Sequence, residues 1–254
     1  MKPFFEKEGF KLYHSDCLET LPNIEESSID LIFADPPYKL SNGGLTCKAG
    51  KFVSVNKGDW DKSQGLSKDF QFTTDWLKEC RRVLKPGGAI WISGTLHNIY
   101  QVGLALQSLN FHIMNEVIWF KPNASPNLSC RYFTHSHESL IWAKKEKAVR
   151  HKFNYEVMRF WRSDILNKNG KQMRSVWTIP STPLTEKTSG KHPTQKPIEL
   201  LMRIISSCTD KGDLVLDPFN GSGTTGVVAR KLGRNYIGIE KEKEYLDLTI
   251  RRIN

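Results

Sequence analysis

"IDLIFADPPYKL", residues 29–40, decides the fold. Ile29, Leu31, Ile32 and Phe33 make the continuous apolar run of a strand buried on both faces of a parallel sheet. An acid, two prolines and a tyrosine follow. Pro36 and Pro37 cannot donate to a ladder, and each restricts the residue before it, so the chain leaves the sheet stiffly with Asp35 at the strand's carboxyl edge. In open α/β sheets that edge is where ligands bind. A lone Asp-Pro-Pro-Tyr is also compatible with a simple turn, so a second signal has to decide.

"LVLDPFNGSGTTGVVARKLG", residues 214–233, supplies it. Gly221, Gly223 and Gly226 fit G-x-G-x-x-G between a strand and a helix, the context a nucleotide fold requires. A dinucleotide site and a plain tight turn both fit that spacing. Asp217, at the strand's end, favours another ligand. A carboxylate there repels pyrophosphate and attracts a cationic amine or sulfonium, and S-adenosylmethionine carries both. "NYIGIE" (235–240) then ends in Glu240, an acid placed to accept hydrogen bonds from two ribose hydroxyls, or else a solvated strand-end acid beside Lys241.

Working outward, strands and helices alternate. "FKLYHSD" (10–16) and "AIWIS" (89–93) read as strands. "TTDWLKECRRVLKPGG" (73–88) reads as a helix stopped by Pro86-Gly87-Gly88, with a further helix over 97–109. "FHIMNEVIWF" and "ESLIWA" suit an antiparallel edge pair, and "PIELLMRIISSC" is an amphipathic helix with Ile198, Leu201, Met202 and Ile205 on one face. Helices at 223–233 and 242–253 flank the strand 235–240. The expected fold is a doubly wound, mostly parallel α/β sheet with helices on both faces. If the glycine loop opens the first βα unit, the strand ending at Asp35 lies beside the strand ending at Asp217, and sequence order is circularly permuted. Residues 39–68, rich in Gly, Lys, Ser and Asn, are expected to form a long mobile binding loop.

Composition narrows the class. The net charge is +10. Residues 121–196 hold 15 Lys/Arg against 5 Asp/Glu, whereas the remainder has 22 of each sign. A solvated lysine-rich face would give that count. A phosphate-facing surface also accounts for the aromatics among the charges, Tyr132, Phe133, Trp142, Phe153, Tyr155, Phe160, Trp161 and Trp177. Together with the loop 39–68, this segment is expected to line one positive cleft above the crevice. Five scattered cysteines, never in a C-x-x-C pair, argue for reduced cytoplasmic thiols with neither disulfides nor a metal site. Nothing at the N-terminus resembles a signal peptide, and no apolar run reaches a membrane span.

The paired corners suggest a chemistry. An exocyclic base amine is a poor nucleophile because its lone pair is delocalised into the ring. Asp35 can accept one N–H and the Pro36 carbonyl another, which localises the pair for in-line attack on a sulfonium methyl. Tyr38 is placed to stack on a base flipped out of its duplex.

"ADPPY" (34–38) ahead of "DPFNGSGTTG" (217–226) resembles the β-group amino-methyltransferases of DNA, over essentially the whole chain. The resemblance implies a Rossmann-like S-adenosylmethionine-dependent methyltransferase fold with a seven-stranded sheet. Residues 1–144 would form its catalytic half, 145–190 a basic target-recognition insertion, and 191–254 the cofactor half. Asp35, Pro36, Pro37 and Tyr38 would be catalytic. The cofactor site would draw on Asp35, on Asp16 from the "HSD" match and Cys17 next to it, on His192, Thr194, Gln195 and Lys196 from "KHPTQKP", and on Asp217, Pro218, Phe219, Gly221, Ser222, Gly223, Thr224, Thr225 and Glu240. Candidate DNA contacts are Asn42, Lys57, Asn127 and Arg131.

More closely, "FADPPYKLSNGG", "VSVNKGDWDK", "WISGTLHNIY" and "PNLSCRYFTHS" are similar to the DpnA-type enzymes of GATC restriction–modification systems. Asp before Pro-Pro-Tyr implies adenine N6 rather than cytosine N4. Double- and single-stranded DNA are the implied partners, a homodimer is compatible, and a cognate restriction endonuclease would belong to the same system. The competing readings are a cytosine-N4 DNA methyltransferase, an adenine methyltransferase of another recognition sequence, methylation of RNA or of a glutamine side chain, a non-catalytic nucleotide-binding module and an NAD-dependent oxidoreductase.

Overall fold

The computed structural model describes residues 1–41, 58–161 and 170–254, together with the backbone of two short strands within 42–57. In chain order the elements are β1 (Phe5–Lys7), β2 (Phe10–His14), α1 (Cys17–Thr20), β3 (Ile29–Ala34), β4 (Leu45–Lys48), β5 (Lys51–Ser54), α2 (Leu66–Val83), β6 (Leu84–Gly94) and α3 (Ile99–Ser108). They continue with β7 (His112–Phe120), β8 (His137–Lys144), α4 (Tyr155–Arg159), β9 (Val176–Thr178), α5 (Ile198–Cys208), β10 (Leu214–Asp217), α6 (Thr224–Lys231), β11 (Asn235–Glu240) and α7 (Lys243–Ile253).

The main sheet runs β1-β2-β11-β10-β3-β6-β8-β7-β9, while β4 and β5 pair separately. Seven strands, β2 through β7, form the expected core, and the short β1 and β9 extend it at the two edges. From β2 to β6 all neighbours are parallel. β10 and β3 are therefore central: the chain winds from β10 toward β11 and from β3 toward β6, so their carboxyl ends flank the topological switch point. This is the permuted doubly wound sheet expected from the motif order.

Two hydrophobic layers cover the faces. Leu31, Phe33, Trp91, Val215 and Tyr236 pack with Leu200, Leu201, Ile204 and Val228 on the side of α5 and α6. Ile32, Ala34, Ile90, Ile92 and Leu216 pack with Trp76, Leu77, Val102 and Leu106 on the side of α2 and α3. Alternate residues of one strand serve opposite layers, which is why the parallel strands read as unbroken apolar runs.

Three expectations change. The helix expected over 73–88 spans Leu66–Val83, and Pro86-Gly87-Gly88 lies inside β6 rather than beyond the helix. Proline keeps the residue before it, Lys85, out of helical space, so the helix ends first, with Leu84 already extended (φ −64°, ψ 136°). Lys145 Nζ donates to the carbonyls of Arg82 (3.3 Å) and Leu84 (2.7 Å) at that helix end. Second, β7 and β8 do pair antiparallel, but away from the sheet edge, because β9 adds alongside β7. Third, the segment 39–68 is not all loop. It contains β4 and β5, and Asp61 fastens its two ends, accepting from Lys39 N (2.9 Å), Leu40 N (3.1 Å) and Ser41 Oγ (2.8 Å). Whether its middle is mobile lies outside the described residues.

Candidate active site

Three parallel strands end in acids at the same edge: β3 runs into Asp35, and β10 and β11 finish with Asp217 and Glu240. The crevice above them is a cavity of about 490 Å³, within the range of small-molecule sites.

Asp217 is 2 % exposed. Its carboxylate accepts from Thr225 Oγ1 (2.6 Å) and Phe219 N (3.0 Å). Burial pushes its carboxyl up to about 7, the two hydrogen bonds oppose this, and Asp35 and Glu240 add to the rise. Glu240 accepts from Gly221 N (2.7 Å) and Glu242 N (2.9 Å), and burial raises its carboxyl too. Asp217 is buried and Glu240 half-buried, their hydrogen bonds come from neutral donors, and among the described residues neither has an ion pair.

The glycine loop has a tight geometry. Gly223 caps α6 in the left-handed region (φ +73°), and a Cβ there would meet the Thr249 side chain at 2.4 Å. Gly221 (φ +50°) packs under His192, whose ring would lie 3.3 Å from an added Cβ. His192 meets Tyr245 edge-on at 4.3 Å, and Thr194 N donates to His192 Nδ1 (3.3 Å). Asp16 caps α1 through Leu18 N (3.0 Å), with Lys241 Nζ at 3.7 Å. Burial pushes the neighbouring Cys17 thiol up.

On the β3 side, the Tyr38 hydroxyl lies 2.6 Å from Asp35 Oδ1, 2.7 Å from Ser93 Oγ and 2.9 Å from Glu138 Oε2. Buried Lys196 pairs with Asp35 Oδ2 through its ammonium, which also lies 5.2 Å from the centre of the Tyr38 ring. Burial pushes the Tyr38 phenol well up, with the Asp35 and Glu138 charges adding to it.

A family model described as a DNA methylase (N6_N4_Mtase) matches residues 29–251. The chain belongs to this family of N6/N4 DNA methylases. Among curated DNA methylase relatives, the Type II methyltransferase M2.LlaDCHI of Lactococcus lactis subsp. cremoris is 52% identical over 254 residues, covering 100% of this chain and 92% of that protein. M2.DpnII of Streptococcus pneumoniae is 52% identical over 253 residues, covering 99% and 92%. The crystal structure of the M1.HpyAVI–SAM complex superposes with a TM-score of 0.69 at 29% identity, over 96% of this chain and 98% of that one. The PvuII cytosine-N4 DNA methyltransferase shares the fold at a TM-score of 0.77 and 21% identity. This DNA methylase therefore uses S-adenosylmethionine. A roomy cavity with two undercompensated acids suits that cation, and no group of side chains among the described residues could hold a metal ion.

Seventeen of the residues singled out in the sequence line the cavity: Asp16, Cys17, Asp35, Pro36, Pro37, Tyr38, His192, Thr194, Lys196, Asp217, Pro218, Phe219, Gly221, Ser222, Thr224, Thr225 and Glu240. Gln195 and Gly223 do not. Gln195 turns inward, its Nε2 donating to Glu186 O (2.8 Å), and Gly223 serves the turn and the contact with Thr249. Asn42 and Lys57 lie outside the described residues. Asn127 spends its amide on its own loop, donating to Tyr132 O (2.8 Å) and accepting from Ser129 N (3.0 Å) and Ser129 Oγ (2.8 Å). Arg131 is exposed beside Tyr132 and Phe133, which are 72% and 99% exposed.

The basic segment does not point outward as a whole. Lys121 and Lys196 pair with Glu138 and Asp35, Lys144 donates to Lys147 O and Val149 O, Lys145 caps α2, and Lys152 pairs with Asp210 and Asp213. Trp142 and Trp177 belong to the core, where Trp142 stacks on Trp91 at 5.1 Å. Glu138 and Ser93 are the site neighbours that sequence reasoning missed. "ESLIWA" shows an acid opening a strand, but only the antiparallel direction of β8 brings that opening to the catalytic edge. Among the described residues no helix is long and apolar enough to cross a membrane.

Proposed function

We propose that this DNA methylase transfers a methyl group to the N6 amine of a flipped adenine in GATC, with Asp35, Pro36, Pro37 and Tyr38 as the catalytic corner. One observation carries the reading. Asp35 and Asp217 end adjacent strands on one cavity; the first pairs directly with the Lys196 ammonium, while the second feels that charge but, among the described residues, forms no ion pair.

Asp217 and Glu240 would hold the charged and ribose portions of S-adenosylmethionine, with the turn at Gly221, Ser222 and Thr224 beneath and His192 and Thr194 closing the side. When bound there, S-adenosylmethionine would supply an electrophilic sulfonium methyl, with its neutral thioether as the leaving group. Asp35 accepts one amine hydrogen and the Pro36 carbonyl the other, fixing the nitrogen's lone pair toward the methyl. As the nitrogen becomes cationic, Asp35 takes its proton. Positioning and exclusion of water supply much of the acceleration. The Tyr38 ring, at the cavity wall, offers the stacking face that offsets part of the cost of flipping.

GATC rests on the likeness of residues 33–44, 53–62, 91–100 and 126–136 to DpnA-type enzymes, and Type II relatives named M2.DpnII and M2.MboI support it. The same likeness supports activity on single strands, where flipping costs little, and a cognate endonuclease. Cytoplasmic residence fits a DNA substrate and free thiols. A homodimer is compatible with this arrangement.

Tritium transfer to oligonucleotides containing GATC, GTTC or GACC, each single- and double-stranded, tests the proposal. Label is expected on GATC alone, recovered as N6-methyladenine. Equal labelling of all three would remove the specificity, and N4-methylcytosine would overturn the base assignment.

A further inference from the structure

Behind the catalytic corner lies a carboxylate that the reaction above does not use. Glu138 sits at the start of β8, opposite Trp119 on β7, and is not part of the cavity wall. Its Oε2 lies 2.9 Å from the Tyr38 hydroxyl, 3.2 Å from Ser93 Oγ and 3.7 Å from Lys196 Nζ, while Oε1 pairs with Lys121 Nζ. Burial by itself pushes the Glu138 carboxyl up, but Lys196 and Lys121 outweigh it and hold it at about 2. The group is a permanent anion in the working pH range.

Asp35 and Glu138 share two partners. The Lys196 ammonium pairs with Asp35 Oδ2, and the Tyr38 hydroxyl lies 2.6 Å from Asp35 Oδ1. A phenol has one hydrogen to give. Donated to Asp35, it competes with the incoming amine for the same carboxylate. Donated to Glu138, it leaves Asp35 Oδ1 open. The Lys196 charge divides in the same way: Glu138 and Asp217 share it with Asp35, so without Glu138 a larger part of it would fall on the Asp35 carboxylate that must receive the amine hydrogen. The charged and titratable groups facing Asp35 are Lys196 and Tyr38 directly, with Glu138 behind them and Asp217 on the neighbouring strand.

We infer that Glu138 is a positioning residue for methyl transfer: it draws the Tyr38 hydroxyl hydrogen and part of the Lys196 charge to itself, keeping Asp35 available to the target amine. Ser93, 2.7 Å from the same hydroxyl, fixes the angle at which Tyr38 reaches both acids. The inference rests on the proposed role of Asp35 as acceptor.

The test is the single-turnover methylation rate of a GATC duplex, at saturating S-adenosylmethionine and DNA, for the full chain and for Glu138→Gln, Tyr38→Phe and the double variant. Melting temperature and the two binding constants are measured on the same preparations. Glu138→Gln should slow the transfer step on the order of tenfold to a hundredfold, the scale of a misplaced catalytic group. Both binding constants should stay within about twofold. In the Tyr38→Phe background, with no hydroxyl hydrogen to redirect, the same substitution should cost several-fold less. A merely structural role predicts equal costs in the two backgrounds, and that result, or an unchanged rate in Glu138→Gln, overturns the inference. Glu138→Asp keeps the charge and carries the same comparison if Glu138→Gln does not fold. It should be slowed in the Tyr38 background and nearly neutral beside Phe, and equal effects again overturn the inference. Wild-type protein that methylates no DNA would sink the proposed function itself, whereas normal wild-type transfer beside an unaffected Glu138→Gln sinks only the role of Glu138.

Discussion

The ends of β3 and β10 invite comparison. They are adjacent parallel strands, each running into an Asp-Pro step at the same edge of the sheet. Their carboxylates live differently. Asp35 is paired with a buried ammonium and touches a phenol. Among the described residues Asp217 accepts from one hydroxyl and one backbone amide and has no ion pair, although it feels the Lys196 charge, and burial carries its carboxyl to about 7. Two similar local sequences thus yield one acid whose charge is already balanced and one that waits for a cation. The difference teaches which ligand goes where: the cationic cofactor belongs at the uncompensated acid, and the neutral amine at the compensated one, where an acceptor is needed without a further net charge.

The comparison breaks first at Asp35. Asp35→Ala should lower the methyl-transfer rate on the order of a thousandfold, within the range for loss of a positioned proton acceptor. Cofactor affinity by calorimetry should change little. If Asp35→Ala lost cofactor binding in step with activity, the division of labour between the two strand ends would be wrong.

Asp217 should respond in the opposite way. Asp217→Asn is expected to weaken S-adenosylmethionine binding by roughly 1–3 kcal/mol at pH 8 while leaving the fold intact. The pH dependence has a definite sign. A native carboxyl at about 7, against its ordinary 3.8, gives stability that is present below the ordinary value and is lost as pH rises through about 7. The unliganded wild type should therefore lose stability across that window, and the cofactor cation, by favouring the anion, should bind more tightly as pH rises and release up to one proton. Calorimetry in buffers of different ionisation enthalpy measures that proton. Asp217→Asn should flatten both trends, and an equally sloped variant would show that another group titrates.

The smallest effect is expected far from both strand ends. Arg131 stands exposed on the loop between β7 and β8, whereas the Asn127 amide is committed to that loop. Arg131→Ala should lower DNA affinity uniformly across sequences and reduce the slope of log affinity against log salt by about 1. A change confined to GATC would instead make it a base reader.

The cofactor half was legible in the chain because its geometry is local. A strand, a glycine turn and a helix within 214–233 must adopt nearly one arrangement, so Asp217, Gly221 and Thr225 are placed by their sequence neighbours. Gln195 and Gly223, singled out with the same motifs, do not line the cavity, since a contiguous motif does not say which of its residues face it. It also credited the basic segment with more outward charge than it has, because lysines such as Lys145 and Lys152 cap helices and pair with acids far along the chain.

By itself, then, the sequence determined the alternation of strands and helices, the two Asp-Pro corners and the order that makes the sheet permuted. All of these follow from apolar periodicity and from the rigid preferences of proline and glycine. Only the tertiary structure decided the electrostatics. Lys196 reaches Asp35 across 161 positions, and Glu138 reaches Tyr38 across 100. Such pairings depend on sheet order and on the antiparallel insertion of β8, and no spacing along the chain records them. An acid's role depends on its counter-charge, so tertiary packing gave the two carboxylates that end similar strands different tasks.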